Sequence, residues 1–161
     1  MRLLKKHKQL IKSEALKTLR ETQEIGVVYD AKLVSESALN KVVHYFEAEG
    51  KNVISIGFVN EKELGSFVPN YKEEYFCKKD LNFWGIPKKD LIQRFTNKDF
   101  DYLVNLDLSG NIPLQAVSVF SKAKTRIGKH IEEFDFAQDF MVKSHAENHQ
   151  DLFMEIKKYI K

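Results

Sequence analysis

The chain has 161 residues, of which 43% are hydrophobic and 30% are charged, and its formal net charge is +3. These values are typical of one folded domain and exclude extended disorder. The single cysteine, Cys77, excludes an internal disulfide and a multi-cysteine zinc site, and we expect it to be a small buried side chain in a reducing compartment. No apolar run approaches the ~20 residues that cross a bilayer, so a cytoplasmic protein is expected.

The N-terminal segment, residues 1–24, carries the excess positive charge, with seven Lys or Arg against three Glu. Residues 2–22 lack Gly and Pro, and their leucines recur about every seven residues, so they predict a basic helix before the main domain, residues 25–161. This helix would dock on the sheet or on a partner, including a second copy of the chain. The alternative is contact with a membrane surface or nucleic acid. The segment has no aromatic anchors for a membrane, and a charge confined to one segment argues against nucleic acid.

Two apolar runs in the first half of the chain predict a strand, helix, strand unit. Residues 25–30 and 52–59 are rich in strand formers, and their continuous apolar character favours burial on both faces of a sheet. Between them, Ser35 or Ser37 is expected to cap a helix that stops at Gly50. Gly57, inside the second strand, predicts a bulge or a close approach of another group to the backbone.

The region from 60 to 99 has weaker patterns. It predicts a polar loop, a short strand at residues 75–77 and a short helix over residues 88–95. Phe83 and Trp84 stand side by side before a glycine, and the pair has two interpretations. The rings either fill space between a loop and the sheet or form an exposed platform for a sugar or base, and the burial of Trp84 decides between them.

The segment 100–128 gives the clearest structural signal. It holds a short apolar strand, a polar turn at residues 107–111, a helical repeat from 112 to 123 and a new extended run from Arg126. A crossover of this length makes its two strands parallel. With a last strand at 139–143 and a closing helix at 147–161, the chain is predicted to be a single Rossmann-like three-layer α/β domain. Its sheet would be mainly parallel, of about five strands, with helices on both faces.

A ligand-binding edge follows from this architecture. In open parallel sheets, ligands bind beyond the carboxyl ends of the strands, near the point where the strand order reverses. That edge would collect Asp30 and the turn residues Asp107, Ser109, Gly110 and Asn111. The turn precedes a helix whose first amides suit an anion. However, Asp107 would repel an anion, and Asn111 is equally explained as a helix cap.

The known catalytic motifs are missing from the sequence. There is no GxGxxG after the first strand, no GxxxxGK[ST] and no GxSxG. His145 and His149 have the spacing of one helix face, but no third ligand accompanies them, so no metal and no cofactor are predicted. We therefore expect a binding or interaction module, and an enzyme is not favoured. The alternative is an enzyme or enzyme subunit that acts on a phosphorylated sugar or nucleotide.

The segment 100–128 also resembles a known family. A strand that ends in Asp107, the run Leu108-Ser-Gly-Asn111, a helix and a basic Arg126-Ile-Gly128 strand are similar to the first Rossmann-like domain of heptosyltransferases of glycosyltransferase family 9, which have a GT-B fold. The nucleotide-sugar domain of those enzymes has no counterpart here. Their Gly-Asp after the first strand is replaced by 33-LVS-35, which lacks an acid. The resemblance therefore implies a similar fold and not the same activity. The whole chain also resembles short Bacteroidetes proteins of a domain family without an assigned function.

Overall fold

The structure, a computed structural model, describes residues 2–7 and 16–161. The helices and strands in chain order are α1 (Arg2–Lys5), β1 (Glu24–Asp30), α2 (Glu36–Ala48), β2 (Asn52–Val59), β3 (Glu73–Cys77), α3 (Lys89–Thr96), β4 (Tyr102–Asn105), α4 (Ile112–Phe120), β5 (Thr125–Lys129), β6 (Phe140–Val142) and α5 (His149–Lys157).

The described part of the chain forms one six-stranded, all-parallel sheet in the order β3-β2-β1-β4-β5-β6. The predicted α/β architecture is confirmed, with six strands instead of about five. The strands β1, β2 and β3 follow one another from the centre of the sheet to one edge. The chain then returns to the centre, where β4 pairs with β1, and β5 and β6 continue to the other edge. The strand order therefore reverses between β1 and β4, where Ile25 is paired with Tyr102.

Helices cover both faces of the sheet. On one, called here the α2 face, Phe46 of α2 and Ile156 of α5 pack against strand residues such as Val27. On the other, called the α4 face, Phe95 of α3 and Val117 of α4 pack with residues from the same strands. Strands that are covered on both sides need apolar residues at every position, which explains the continuous apolar runs in the sequence.

Local signals explain where α2 begins and ends. The Ser35 hydroxyl accepts a hydrogen bond from the Ala38 N–H at 3.1 Å. The sequence allowed either Ser35 or Ser37 as the cap, and the structure shows that it is Ser35. Beyond the helix, Gly50 has a φ of +73°, a conformation that favours glycine and that turns the chain toward β2.

The continuous helix predicted over residues 2–22 is not observed. α1 ends at Lys5, residues 16–18 are not helical, Leu19–Glu21 is a 3₁₀ turn, and residues 8–15 lie outside the described part of the chain. Leu4 packs on the α4 face, whereas Leu19 packs on the α2 face, where its N–H donates to the Ile160 carbonyl at 3.1 Å. One straight helix cannot reach both faces. The leucine spacing thus reflects two separate anchors on the sheet, and contact with a partner stays a prediction.

The connection between β2 and β3, residues 60–72, contains no helix. Crossovers between parallel strands usually carry a helix that covers the sheet. Here Leu64 and Phe67 pack against the α2 face instead, and the ring of Phe67 lies 5.3 Å from the ring of Tyr75. Because a loop covers β3 in place of a helix, a cleft remains between this loop and α2. The candidate site lies in that cleft.

Candidate functional site

Asp30 lies at the carboxyl end of β1, as predicted, but its side chain is buried and accepts hydrogen bonds from the loop that follows it. Oδ1 accepts hydrogen bonds from the Lys32 N–H at 2.8 Å and from the Leu33 N–H at 3.2 Å. Such an Asp turn orders the loop between β1 and α2. Both of these bonds are to Oδ1, and a part of Asp30 in ligand binding stays a prediction.

Asp107 follows β4, and both of its carboxylate oxygens accept hydrogen bonds. Oδ1 accepts from the Ser109 N–H at 3.1 Å, and Oδ2 accepts from the Asn111 N–H at 2.6 Å and from Gln115 Nε2 at 2.7 Å. Gly110 completes this turn with a φ of +83°. Asn111 occupies the cap position of α4, yet its side chain makes no capping bond, and its Oδ1 is buried without a partner in the described chain. The four turn residues lie together, and their part in ligand binding stays a prediction.

His149, the first residue of α5, comes close to both carboxylates, which the sequence pattern did not reveal. Burial lowers the pKa of His149, and the charges of Asp30 and Asp107 partly oppose this shift. His145 precedes α5, so the two histidines do not share a helix face. Across residues 2–7 and 16–161, no three His, Cys, Asp or Glu side chains gather closely enough to hold a metal.

Phe83 and Trp84 lie on the loop between β3 and α3, and both side chains are exposed. They therefore do not fill space under the loop. Their rings contact each other edge to face, with centroids 5.4 Å apart. A stacking role for this pair stays a prediction.

A cleft on the α2 face, called here the tyrosine cleft, lies over the sheet at β1, β2 and β3. The N-terminal half of α2 forms one wall, and residues 66–73 form the other. The cleft has two lobes of about 500 Å³ and about 440 Å³. Glu73 borders both. Lys72 lines the smaller lobe, and its Nζ forms an ion pair with Glu47 Oε1 of α2 at 2.9 Å.

Two tyrosines form the floor of the larger lobe. The hydroxyl oxygens of Tyr29 and Tyr75 lie 3.3 Å apart. Their rings lie against the backbone at Gly57, where an added Cβ would be 2.9 Å from the Tyr75 ring and 3.0 Å from Tyr29 Cζ. The close approach predicted at Gly57 is therefore present, and glycine is needed there so that both rings fit.

The electrostatics of the floor favour a protonated Tyr29. Burial raises the pKa of Tyr29 far above its usual range, and the Tyr75 hydroxyl and the charge of Glu73 raise it further. A protonated tyrosine both donates and accepts hydrogen bonds. Tyr29 thus provides a hydrogen-bonding hydroxyl and not a phenolate.

The rim of the larger lobe is acidic. Glu36 of α2 and Glu73 of β3 line it, and Lys32 is the lysine on the same rim. Lys32 Nζ lies 3.8 Å from Glu61 Oε1, which offsets part of its charge. The lobe also has apolar walls, with Leu39 and Phe67 among its lining residues.

Sequence reasoning missed Tyr29 and Tyr75 because they lie 46 positions apart, on strands separated by β2. Alternation along a strand says which face a residue occupies, not which distant residue it meets. Gly57 was the one available signal, since an interior strand glycine indicates that something large lies against it.

The fold and the cleft define a small Rossmann-like α/β protein with a ligand-sized cleft on the α2 face of its sheet. The chain belongs to the family of unknown function DUF6913, whose family model matches residues 2–161. Neither the curated proteins nor the solved structures include a significant match to it. Within the described residues, no helix has the length and apolar character that a membrane span requires.

Proposed function

We propose that the protein is a non-catalytic binding module that holds a small hydroxyl- or amine-bearing metabolite in the tyrosine cleft. One observation carries this proposal, namely the hydroxyls of the buried Tyr29 and the half-buried Tyr75, 3.3 Å apart, on the floor of a lobe of about 500 Å³. Ligand sites are usually apolar clefts of roughly 300–1,000 Å³ with a few convergent polar groups. The larger lobe has this size, and its lining is more polar than apolar, which suits a ligand that carries several hydroxyl or amine groups.

The charge of the rim supports a neutral or cationic ligand. Glu36 and Glu73 would repel a phosphate, whereas carboxylates accept hydrogen bonds from hydroxyl and ammonium groups. Glu73 is held in place because its Oε2 accepts from Asn70 Nδ2 at 2.8 Å. The acidic rim therefore disfavours the alternative, an enzyme for phosphorylated sugars or nucleotides.

The tyrosines favour recognition over catalysis. A general base or nucleophile works best with a pKa near the working pH, and the pKa of Tyr29 is shifted away from that range. Tyr29 and Tyr75 can instead donate and accept hydrogen bonds without a change of charge. This matches the sequence, which lacks the known catalytic motifs.

A thermal-shift panel on the full chain tests the proposal. It contains neutral sugars, amino sugars and small polyamines in one arm, and sugar phosphates and nucleotides in the other. A ligand at 100 times its dissociation constant should stabilise the protein by about 2.7 kcal/mol. We expect shifts in the first arm. The substitution Tyr75→Phe should weaken binding about five- to tenfold, since it removes one hydrogen bond.

Tyr159→Phe is the matched control, because Tyr159 is exposed at the end of α5 and lies outside the cleft. It should bind like the unmodified chain. Shifts confined to the phosphorylated arm would favour the enzyme alternative. No shift in either arm, or equal binding by Tyr75→Phe, would reject the tyrosine cleft as the site.

A further inference from the structure

The loop that carries Phe83 and Trp84 is held by its own hydrogen bonds. Asn82 Oδ1 accepts from the Trp84 N–H at 2.9 Å and from the Ile86 N–H at 3.1 Å. The Asn82 N–H donates to the Ile86 carbonyl at 2.9 Å, and Gly85 turns the chain with a φ of +75°. The two aromatic side chains therefore project from a well-defined turn.

Both rings extend into solvent from this turn. Phe83 is 93% exposed and Trp84 is 62% exposed, and their planes meet at 85°. Two adjacent exposed rings form an apolar patch, and contiguous apolar patches often mark binding surfaces. The pair forms a protruding tip and not a groove, so an occupant must accept a convex apolar surface.

The structure brings this loop next to the N-terminal segment. Leu3 and His7 line the same small groove as Asn82 and Pro87. Lys89 Nζ lies 3.2 Å from His7 Nδ1, so the two stretches are in direct contact. Leu3 is 43% exposed and adds a third apolar side chain. The N-terminal segment has no aromatic anchors of its own. Phe83 and Trp84 lie on the loop beside it, about eighty positions further along the chain.

The same surface is basic. Residues 2–7 and 81–89 carry five exposed basic side chains and no Asp or Glu, namely Arg2, Lys5, Lys6, Lys88 and Lys89. The exposed Asp90 follows directly and offsets part of this charge. We call the five basic residues, with Leu3, Phe83 and Trp84, the basic aromatic surface. Aromatic and leucine side chains beside exposed lysines are the combination that lies in the interface of an anionic bilayer.

We propose that the basic aromatic surface binds the face of an anionic membrane, with Phe83, Trp84 and Leu3 inserted among the headgroups and the five basic side chains over the anionic lipids. The apolar part of the surface includes Leu3, which offers no ring for a base to stack on, whereas a lipid interface closes around any protruding apolar side chain. The tyrosine cleft lies on the other face of the sheet, so this proposal is independent of the proposed function.

Vesicle binding by the full chain tests this inference. Trp84 is the only tryptophan, so its emission reports on this surface alone. With vesicles of 70% phosphatidylcholine and 30% phosphatidylglycerol, we expect a blue shift and quenching by brominated lipid. Binding should weaken as salt screens the charges, and vesicles of pure phosphatidylcholine should bind much less.

Variants locate the contact by co-sedimentation. The double substitution Phe83→Ser/Trp84→Ser, and separately Lys6→Glu/Lys88→Glu, should each reduce vesicle binding about tenfold or more. Tyr71→Ser and Lys41→Glu are the matched controls, because both side chains are exposed and lie on or near the α2 face, and both should bind as the unmodified chain does.

Three results would overturn the inference. The first is equal binding to anionic and neutral vesicles, and the second is unchanged binding by the Phe83/Trp84 variant. The third is a Trp84 shift with soluble polyglutamate or a single-stranded oligonucleotide but not with vesicles, which would assign the surface to an acidic protein or a nucleic acid.

Discussion

Asp30 and Asp107 show how buried carboxylates are stabilised at the carboxyl ends of parallel strands. Backbone N–H groups of the following turns donate to both, and Gln115 donates to Asp107 as well. Hydrogen bonds of this kind offset the loss of hydration. His149 lies near both side chains but gains less from them than it loses by burial, since its pKa is lowered overall. The strand-end edge thus combines two acids with a histidine that resists protonation.

His149 should make the protein less stable in mild acid. A histidine with a lowered pKa binds a proton more readily in the unfolded chain, so its contribution to stability is complete above about pH 6.5 and is lost as the pH falls through that value toward the folded pKa. His149→Gln removes this titration. We expect its free energy of unfolding, measured by urea denaturation, to fall less between pH 7.5 and 5.5 (roughly the range of histidine titration) than that of the unmodified chain.

Comparison with the unmodified chain removes the contributions of other groups. Glu74 is one of these, because burial raises its pKa and gives a pH dependence of opposite sign. The His149 titration followed by NMR is the direct check. A midpoint at or above 6.5, or parallel stability profiles for the two proteins, would contradict this account.

Residue patterns predicted the position of the strand-end residues but not their partners. Asp30 and Asp107 follow apolar runs, and this placed them at one edge of the sheet. The bonds from Gln115 and the approach of His149 depend on how α4 and α5 pack, and a linear pattern does not contain that information. Tyr29 and Tyr75 were missed for the same reason.

At the scale of the element, β5 and β6 are joined by a buried ion pair. Arg126 Nε and Nη2 donate to Asp139 Oδ2 and Oδ1 at 2.8 and 2.9 Å, and the Arg126 side chain is completely buried. The Asp139 N–H also donates to the Arg126 carbonyl at 2.8 Å. The sequence predicted an extended run from Arg126, but a charged residue in the core breaks the apolar pattern and gave no hint of its partner. Asp139 thereby sets where β6 begins.

Removing one member of this pair should be costly. Asp139→Ala leaves a buried guanidinium without its counter-charge, and we expect a loss of about 3–5 kcal/mol in the free energy of unfolding. The double variant Arg126→Met/Asp139→Ala should lose clearly less than the sum of the two single variants, because no buried charge remains. Chemical denaturation of all four proteins measures this coupling. Additive losses would mean that the two side chains act independently.

On the scale of the whole molecule, the sheet is organised outward from β1 and β4. Their apolar runs predicted a buried parallel core, and the structure confirms it. The outer strands were harder to predict because they are short and partly exposed, as in β3 and β6. The two separate leucine anchors near the N-terminus were set by tertiary packing, which overrides local preference.

This arrangement predicts a gradient of local stability. The amides of β1 and β4 should exchange with solvent only on global unfolding, because both strands are paired on both sides and buried on both faces. The amides of β3 and β6 should exchange faster, by about tenfold or more, through local opening. Hydrogen exchange followed by mass spectrometry or NMR measures the order. Equal protection across all six strands would indicate that the sheet opens as a single unit.

Cys77, as expected, is a buried side chain; it ends the edge strand β3, and its Sγ lies 3.4 Å from the Lys62 carbonyl in the connection between β2 and β3. Because it is the chain's one thiol, a cysteine-directed reagent has a single target, and that target is reachable only while the β3 margin has separated from its cover. The rate of covalent labelling of Cys77 would therefore measure how often β3 separates from the loop that covers it. Slower labelling in the presence of a metabolite would show that the metabolite holds β3 and this loop together.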